Sequence, residues 1–485
     1  MDLGISDSTP RQMFIGGEWR PARGGDVMAT FNPFTEELIS RVAAGTAEDV
    51  DDAVSAASDA AEAWGGRPWT ERANILREVA ARIRHDVDRL AMIDVDNAGL
   101  PITAARRDVL RAADEVDYFA GIAGETKGFS NPSSADVVAY TLREPYGVVG
   151  RIIPFNHPFN FSAGKVAAPL AAGNTVLLKA PDQTPLGSIA FAELSRGLLP
   201  PGVLSVLTGP GAEVGGAIAS HPGIPRVAFI GSVETGRAVM RAGAEHIKHV
   251  TLELGGKNPM IVCEDIAPRV AATEAVKGMN MTKTMGQSCQ SNSRVFVHDS
   301  IADEFIERLE EICSEIVVGD PRSEATEMGP LAYEGHHERV LGHISAANED
   351  GANLVCGGGR PSHLSRGYFV GPTVFDRVTP RMRLFRDEVF GPVMAVIRWS
   401  DEDEMLEQVN GLELGLTARI WTNDVKRAAR LVARVQSGLI WVNGNAGKPR
   451  GIPFGGFKHS GVGKEGGCLE ELISYTREKA VMVAV

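Results

Sequence analysis

Val148-Val-Gly-Arg-Ile-Ile-Pro-Phe-Asn156 is an apolar, β-branched run that breaks at Pro154 into a polar turn, and four similar runs follow it. They begin near Thr175, Val203, Arg226 and Val250, so successive starts lie 27, 28, 23 and 24 residues apart, the length of a βα unit. Runs apolar on both faces, each followed by a turn and a helical pattern, predict a parallel sheet covered on both sides. Such sheets bind ligands at the carboxyl ends of their strands. Here those ends carry Pro154-Phe-Asn156, Lys179-Ala-Pro-Asp182, Gly209-Pro-Gly211, Gly231-Ser232 and Glu253-Leu-Gly-Gly256.

On the N-terminal side, Met13-Phe-Ile-Gly-Gly-Glu-Trp19 suggests short strands. Three helices then follow. One starts at Thr46 with Asp49 as a capping box, one spans Thr70 to Asn97 before Gly99 and Pro101, and one spans Ile102 to Ala120. Residues 121–143 turn glycine- and serine-rich and then β-rich, the pattern of a protruding hairpin. After Gly256 a second α/β region is expected, with helices at 266–283 and 301–316 and further units to about Asn443. The tail holds the glycine-dense Pro453-Phe-Gly-Gly-Phe-Lys-His-Ser-Gly-Val-Gly463 and the β-branched Val481-Met-Val-Ala-Val485.

A chain of 485 residues is too long for one core. Its net charge of −13, without a basic tract, argues against nucleic acid and anionic membranes as partners. Five scattered cysteines show no disulfide framework and no metal-ligand spacing. Met1 to Arg20 has no apolar signal region, so the cytoplasm is the expected location.

The chemistry-bearing residues are first read singly. Cys289 sits in Gly286-Gln-Ser-Cys-Gln290, a polar turn between a helical run and a strand, where a thiol can meet a ligand; the alternative is a small packed hydrophobe. Glu253, flanked by apolar residues at a strand end, suits a general base. Asn156 can donate to an oxyanion or simply occupy a turn. Lys179 and Asp182 can hold ribose hydroxyls or form a turn ion pair. Gly211 and Gly215 fall in a GxGxxxG turn, one residue longer than the dinucleotide fingerprint, and Ser232 can face a phosphate or merely cap a helix.

Together, Pro154-Phe-Asn156, Lys179-Ala-Pro-Asp-Gln-Thr-Pro185, Phe229-Ile-Gly-Ser232, Glu253-Leu-Gly-Gly256, Gly286-Gln-Ser-Cys289, Glu388-Val-Phe-Gly-Pro392 and Pro453-Phe-Gly-Gly-Phe-Lys458 resemble, in order, the motifs of the aldehyde dehydrogenase superfamily. The resemblance implies an α/β fold with a Rossmann-like parallel-sheet cofactor domain (1–122 and 146–255) and a second α/β catalytic domain carrying the thiol (256–462). It also implies a small β oligomerisation arm and tail (123–145 and 463–485), and hence a homodimer or homotetramer.

The implied activity is NAD-dependent oxidation of an aldehyde to a carboxylic acid through a thiohemiacetal and a thioester on Cys289. Asn156 and the Cys289 backbone N–H hold the oxyanion, Glu253 activates water, and Lys165 with Glu465 relays protons. Cofactor contacts fall on Ile153, Pro154, Phe155, Lys179, Asp182, Gly211, Gly215, Phe229, Gly231, Ser232, Leu254, Gly255, Glu388 and Phe390. The substrate wall falls on His157, Asn160, Phe161, Gly164, Ser288, Gln290 and Phe454; Gly164 stands where a bulkier residue is frequent, which predicts a roomy, partly polar pocket. Asp182 replaces the glutamate of many NAD-using members, so NAD is expected, with NADP as the alternative. Phe155 replaces a tryptophan. Two other readings compete: a CoA-acylating semialdehyde dehydrogenase, against which Glu253 speaks, and a catalytically silent structural member of the fold.

Overall fold

The computed structural model describes residues 9–134, 136–445, 447 and 449–484. Met1 to Ser8 of the expected cofactor domain, Ala135 of the expected arm and the terminal Val485 lie outside the described residues.

The five apolar runs form the strands Val148–Ile152, Thr175–Lys179, Leu204–Leu207, Arg226–Ile230 and His249–Glu253, parallel throughout. In sheet order they run Leu204–Leu207, Thr175–Lys179, Val148–Ile152, Arg226–Ile230, His249–Glu253. The order therefore reverses direction between Val148–Ile152 and Arg226–Ile230, where adjoining loops part and leave a crevice. Four of these strands are buried at every position, which is why they read as continuous apolar runs rather than alternating ones. Met13–Ile15 adds antiparallel to Leu204–Leu207, with Glu18–Arg20 beyond it.

A helix was expected after each run, but His249–Glu253 has none. The chain passes directly through Leu254-Gly-Gly-Lys-Asn258 into Pro259–Val262, a strand of the second sheet. That sheet orders Asn353–Cys356, Thr373–Asp376, Val393–Trp399, Arg294–His298, Pro259–Val262, Thr417–Trp421 and Leu439–Val442, with only the first pair antiparallel. The helix from Thr46 spans Ala47–Gly65, and Asp49 Oδ2 accepts the Thr46 N–H at 2.8 Å, as a capping box requires. The long helix expected over Thr70 to Asn97 is two, Trp69–His85 and Val87–Ala98, broken at Asp86 without help from glycine or proline.

The hairpin Ser130–Ser134 and Val137–Pro145 pairs with Thr476–Ala484 in a separate three-stranded sheet. Residues on both sides of the expected boundary at 462 pack on the first sheet: Gly461–Val462 pairs with Leu252 and Glu253 on its edge, and Glu465, Cys468 and Tyr475 are buried. No described helix is long and apolar enough to cross a membrane.

Candidate active site

Three cavities meet where the two sheets face each other. The first, of about 740 Å³, runs along the carboxyl ends of the first sheet and is lined by Ile153, Pro154, Phe155, Lys179, Asp182, Gly211, Gly215, Phe229, Gly231 and Ser232. The second, of about 200 Å³, shares Pro154, Phe155, Gly231 and Ser232 with it and adds Asn156, Glu253, Gly255, Cys289, Arg339, Glu388 and Phe390. The third, of about 390 Å³, shares Phe161, Glu253 and Cys289 with the second and reaches His157, Asn160, Lys165, Ser288, Gln290, Phe454 and Glu465. Cys289 and Glu253 therefore stand at the junction of a long groove and a polar chamber.

Cys289 owes its position to an unusual turn. Met285 and Gly286 are both left-handed, with φ of 54° and 71°. A Cβ on Gly286 would lie 2.2 Å from the Gly391 carbonyl oxygen, so only glycine lets the turn approach that loop. Asn258 Nδ2 donates to the carbonyls of Cys289 at 2.7 Å and Ser291 at 2.8 Å, while its Oδ1 accepts the Thr417 N–H at 3.0 Å. Buried Gln287 completes the brace by accepting from the Ala332 N–H through Oε1 and from Asn156 Nδ2 through its carbonyl, at 3.0 and 2.8 Å.

Burial, and then the Glu253 carboxylate beside it, hold the Cys289 thiol well above its ordinary range. The Cys289 backbone N–H faces its own sulfur, which favours the thiolate in part. Burial pushes Glu253 up to about 8, offset somewhat by the thiol, and its Oε1 has no hydrogen-bond partner among the described residues. Of the two Asn156 amide hydrogens, one serves the Gln287 carbonyl and leaves the other for a ligand.

Behind the chamber lies a buried charge cluster. Glu465 accepts two hydrogen bonds from Arg151, at 2.5 and 2.8 Å, and Lys165 Nζ stands 3.4 Å from Glu115, 3.6 Å from Glu465 and 4.0 Å from Glu471. Although burial opposes their charge, the surrounding cations bring Glu115 and Glu465 down to about 2. Despite burial, the same carboxylates raise Lys165.

The groove fits a dinucleotide. Gly216 has no atom within 4 Å of a would-be Cβ, and at Gly215 the nearest is Ile152 Cδ1 at 4.0 Å, so a larger side chain at either position would occupy the groove itself. At Gly231 a Cβ would meet the Phe229 ring at 2.4 Å. Lys179 does form an ion pair with Asp182, as the turn reading allowed, yet both line the groove, and Asp182 Oδ2 also takes the Gly211 N–H at 2.8 Å. Ser232 Oγ caps the helix Val233–Ala244 by accepting the Thr235 N–H at 3.2 Å, and that helix N-terminus points its partial positive charge at the groove. Glu388 Oε1 accepts the Gly256 N–H at 2.9 Å, and a Cβ on Gly255 would collide with the same carboxylate. Phe390 is left-handed (φ 56°), with its carbonyl held by His336 Nε2–H at 2.7 Å.

Two expected contacts fall elsewhere. Leu254 lines none of these cavities; its side chain packs on Gly236 and belongs to the core of the first sheet. Gly164 does not widen the chamber: a Cβ there would meet the Glu115 carboxyl at 3.3 Å, so the glycine makes room for that buried acid. The residues not foreseen are Asn258, Gln287, Arg151, Glu115 and Arg339. Gln287 lies inside a quoted motif; Asn258, Arg151 and Glu115 have partners distant in sequence, and Arg339 bonds to nearby His336 on its own helix but reaches the site only through the fold, so these four leave no local signal.

A sequence profile described as the aldehyde dehydrogenase family matches residues 19–481. Among similar proteins, aldehyde dehydrogenase tropH of Talaromyces stipitatus is 40% identical over 99% of this chain and 95% of its own. Hydroxyisobutyraldehyde dehydrogenase of Mycolicibacterium austroafricanum is 39% identical over 99% and 95%. An NAD+ complex of aldehyde dehydrogenase from Bacillus cereus superposes with a TM-score of 0.95 at 38% identity, covering 98% of this chain and 97% of that one.

Proposed function

The chain belongs to the aldehyde dehydrogenase family and is an NAD(P)-dependent enzyme that oxidises aldehydes to carboxylic acids, and we propose that Cys289, Glu253 and Asn156 carry the reaction. The observation behind this is their convergence where the groove meets the chamber. Glu253 takes the thiol proton as Cys289 sulfur bonds to the aldehyde carbon. The alkoxide that forms is held by the free Asn156 amide hydrogen and the Cys289 backbone N–H. When bound, NAD+ supplies the acceptor for the hydride that leaves this carbon. Glu253 releases its proton to solvent water and then draws one from the water that attacks the thioester; as the C–S bond breaks it passes that proton to the sulfur, which returns the thiol and leaves the carboxylic acid. The unpartnered Glu253 Oε1 suits that water.

Asp182, with its carboxylate on the groove wall, favours NAD over NADP, whose extra phosphate it repels. Exposed Val138, Leu142, Met482 and Val483 on the three-stranded sheet support a homodimer or homotetramer built through that arm. The five free cysteines accord with a reducing compartment, the cytoplasm. Cofactor reduction across aliphatic, aromatic and hydroxylated aldehydes tests the assignment. NADH should form with several of them and vanish in Cys289→Ala; undiminished NADH formation in that variant refutes the role given to Cys289.

A further inference from the structure

The helix Ile102–Ile122 presents Ala104, Arg107, Asp108, Arg111 and Glu115 at offsets of three and four, so they share one face. That face forms a wall shared by two cavities. Arg111 and Glu115 line the chamber at Cys289, whereas Ala104, Arg107, Asp108 and Arg111 line a further cavity of about 250 Å³. The two share Arg111, His157, Ser288 and Gln290, which makes the outer cavity an antechamber of the inner one.

The charges of the antechamber do not balance. Its acid Asp108 is held by His157, and Glu115 behind it is held by Lys165 and Arg450. Among the cations, Lys277 is paired with Glu274 at 2.7 Å, and Arg419 donates to the Gln290 carbonyl at 2.9 Å and stacks on Trp441. Arg107, Arg111 and Lys283 remain: among the described residues none of their side chains has an ion pair or hydrogen bond. Burial, then Arg107 and Arg111, depress the Lys283 ammonium, and nearby Asp108 offsets this only in part, a sign that the cations crowd one another. Two guanidinium groups and an ammonium thus stand on the path to a reactive thiol, outnumbering Asp108, the one acid among the described residues lining this cavity and already paired with His157, and they match the oxygens of an anionic group.

We propose that the antechamber binds the far end of the substrate, and that the preferred aldehydes carry a carboxylate or phosphate group remote from the carbonyl. This rests on aldehyde oxidation at Cys289 as set out above. Arg107, Arg111 and Lys283 hold the anion while the chain of the substrate crosses the chamber and presents its carbonyl to the sulfur.

The test compares kcat/KM of the full-length enzyme, with saturating NAD+, for four aldehydes of matched length: an alkanal, glutaric semialdehyde, a phospho-oxy alkanal and a trimethylammonio alkanal. One of the two anionic aldehydes should exceed the alkanal about tenfold or more, the effect of a single charge-assisted hydrogen bond, and the better one identifies the anion. The advantage should shrink in about 1 M salt, where the screening length is about 3 Å. In Arg107→Gln and Lys283→Gln, both at exposed positions, the ratio of anionic to neutral kcat/KM should fall about fivefold or more. Good turnover of the alkanal or the cationic aldehyde with no anionic advantage overturns the antechamber role and leaves aldehyde oxidation standing. No NADH from any of the four removes both.

Discussion

Arg151 clasps Glu465 through two parallel hydrogen bonds, at 2.5 and 2.8 Å, with both side chains sealed from water. Arg151 lies mid-strand in the first sheet and Glu465 in the glycine-dense tail, so the contact ties the end of the chain to the cofactor sheet. It also fixes the charge of Glu465, whose carboxyl is held down at about 2. A carboxylate so firmly ionised does not pick up protons near neutrality. We therefore take Glu465 as an anchor for Arg151 and Lys165 rather than a proton carrier.

Glu465→Gln should accordingly act on stability first. Leaving Arg151 without its partner is expected to cost about 3–5 kcal/mol, the usual penalty for an orphaned buried charge. Denaturant unfolding monitored by fluorescence measures this. Unchanged stability with slowed acyl-enzyme breakdown would instead restore the relay. Because the folded-state value lies below the ordinary one, the Glu465 contribution is complete above about 4.5 and fades as pH falls toward about 2.

Glu253 shifts the opposite way, to about 8 by burial. Its ionised form is the base, so thioester hydrolysis should accelerate as pH rises and level off above about 8. Glu253→Gln should abolish that limb and trap an acylated Cys289, detectable by intact mass after mixing with aldehyde and NAD+. A variant that keeps the full rate and the same pH profile assigns the base elsewhere. The raised value also means that the fold binds this proton more tightly than the unfolded chain does. Stability from this group is full below about 4.5 and declines as pH rises through about 8.

The contrast between these two acids shows what was legible in the sequence. Glu253 ends a strand, between Leu252 and Leu254 and just ahead of two glycines, a local pattern that announces a buried carboxylate at a strand end. Cys289 was legible for a similar reason, between a helix and a strand. Arg151 was not: within Val148-Val-Gly-Arg-Ile-Ile153 it is one polar residue in an apolar run, and its partner lies 314 positions away. Glu115 repeats the case, since on the helix Ile102–Ile122 it looks like one more charge on an amphipathic surface, yet Lys165 and Arg450 bury it. Gly164 was misplaced because the volume it leaves free is filled from another helix. The parallel strands were legible because burial on both faces is written into each run, whereas the passage from Glu253 straight into a second sheet depends on packing between domains.

Asn258 is the strongest brace that the sequence concealed. Its amide serves the Cys289 and Ser291 carbonyls and the Thr417 N–H, so alanine strips the Cys289 carbonyl and the Thr417 N–H of this partner, each at about 1–3 kcal/mol, while the Ser291 carbonyl keeps the Ser293 N–H. Asn258→Ala should lower the melting temperature and reduce kcat/KM about tenfold or more as the sulfur loses its fixed position, with NAD+ affinity little changed. Steady-state kinetics and NAD+ titration separate these effects. Activity within about twofold of the parent would show that the turn holds Cys289 without this brace.

Asp182 offers a test of cofactor choice. Its carboxylate is bound by Lys179 and by the Gly211 N–H, and a third of its side chain remains exposed to the groove (34%). An adenosine ribose seated there meets a negative charge that repels a 2′-phosphate, while Lys179 is occupied in neutralising Asp182. Asp182→Ser removes the repulsion and frees the Lys179 ammonium at the same time, so both changes favour the phosphorylated cofactor. The ratio of kcat/KM for NADP+ to that for NAD+ should rise about tenfold or more, a shift of about 1.4 kcal/mol or more. Because the effect is electrostatic, the gain should diminish as salt is raised. A ratio unmoved by the substitution would mean that the ribose does not lie against Asp182, and that the groove seats its cofactor in another register.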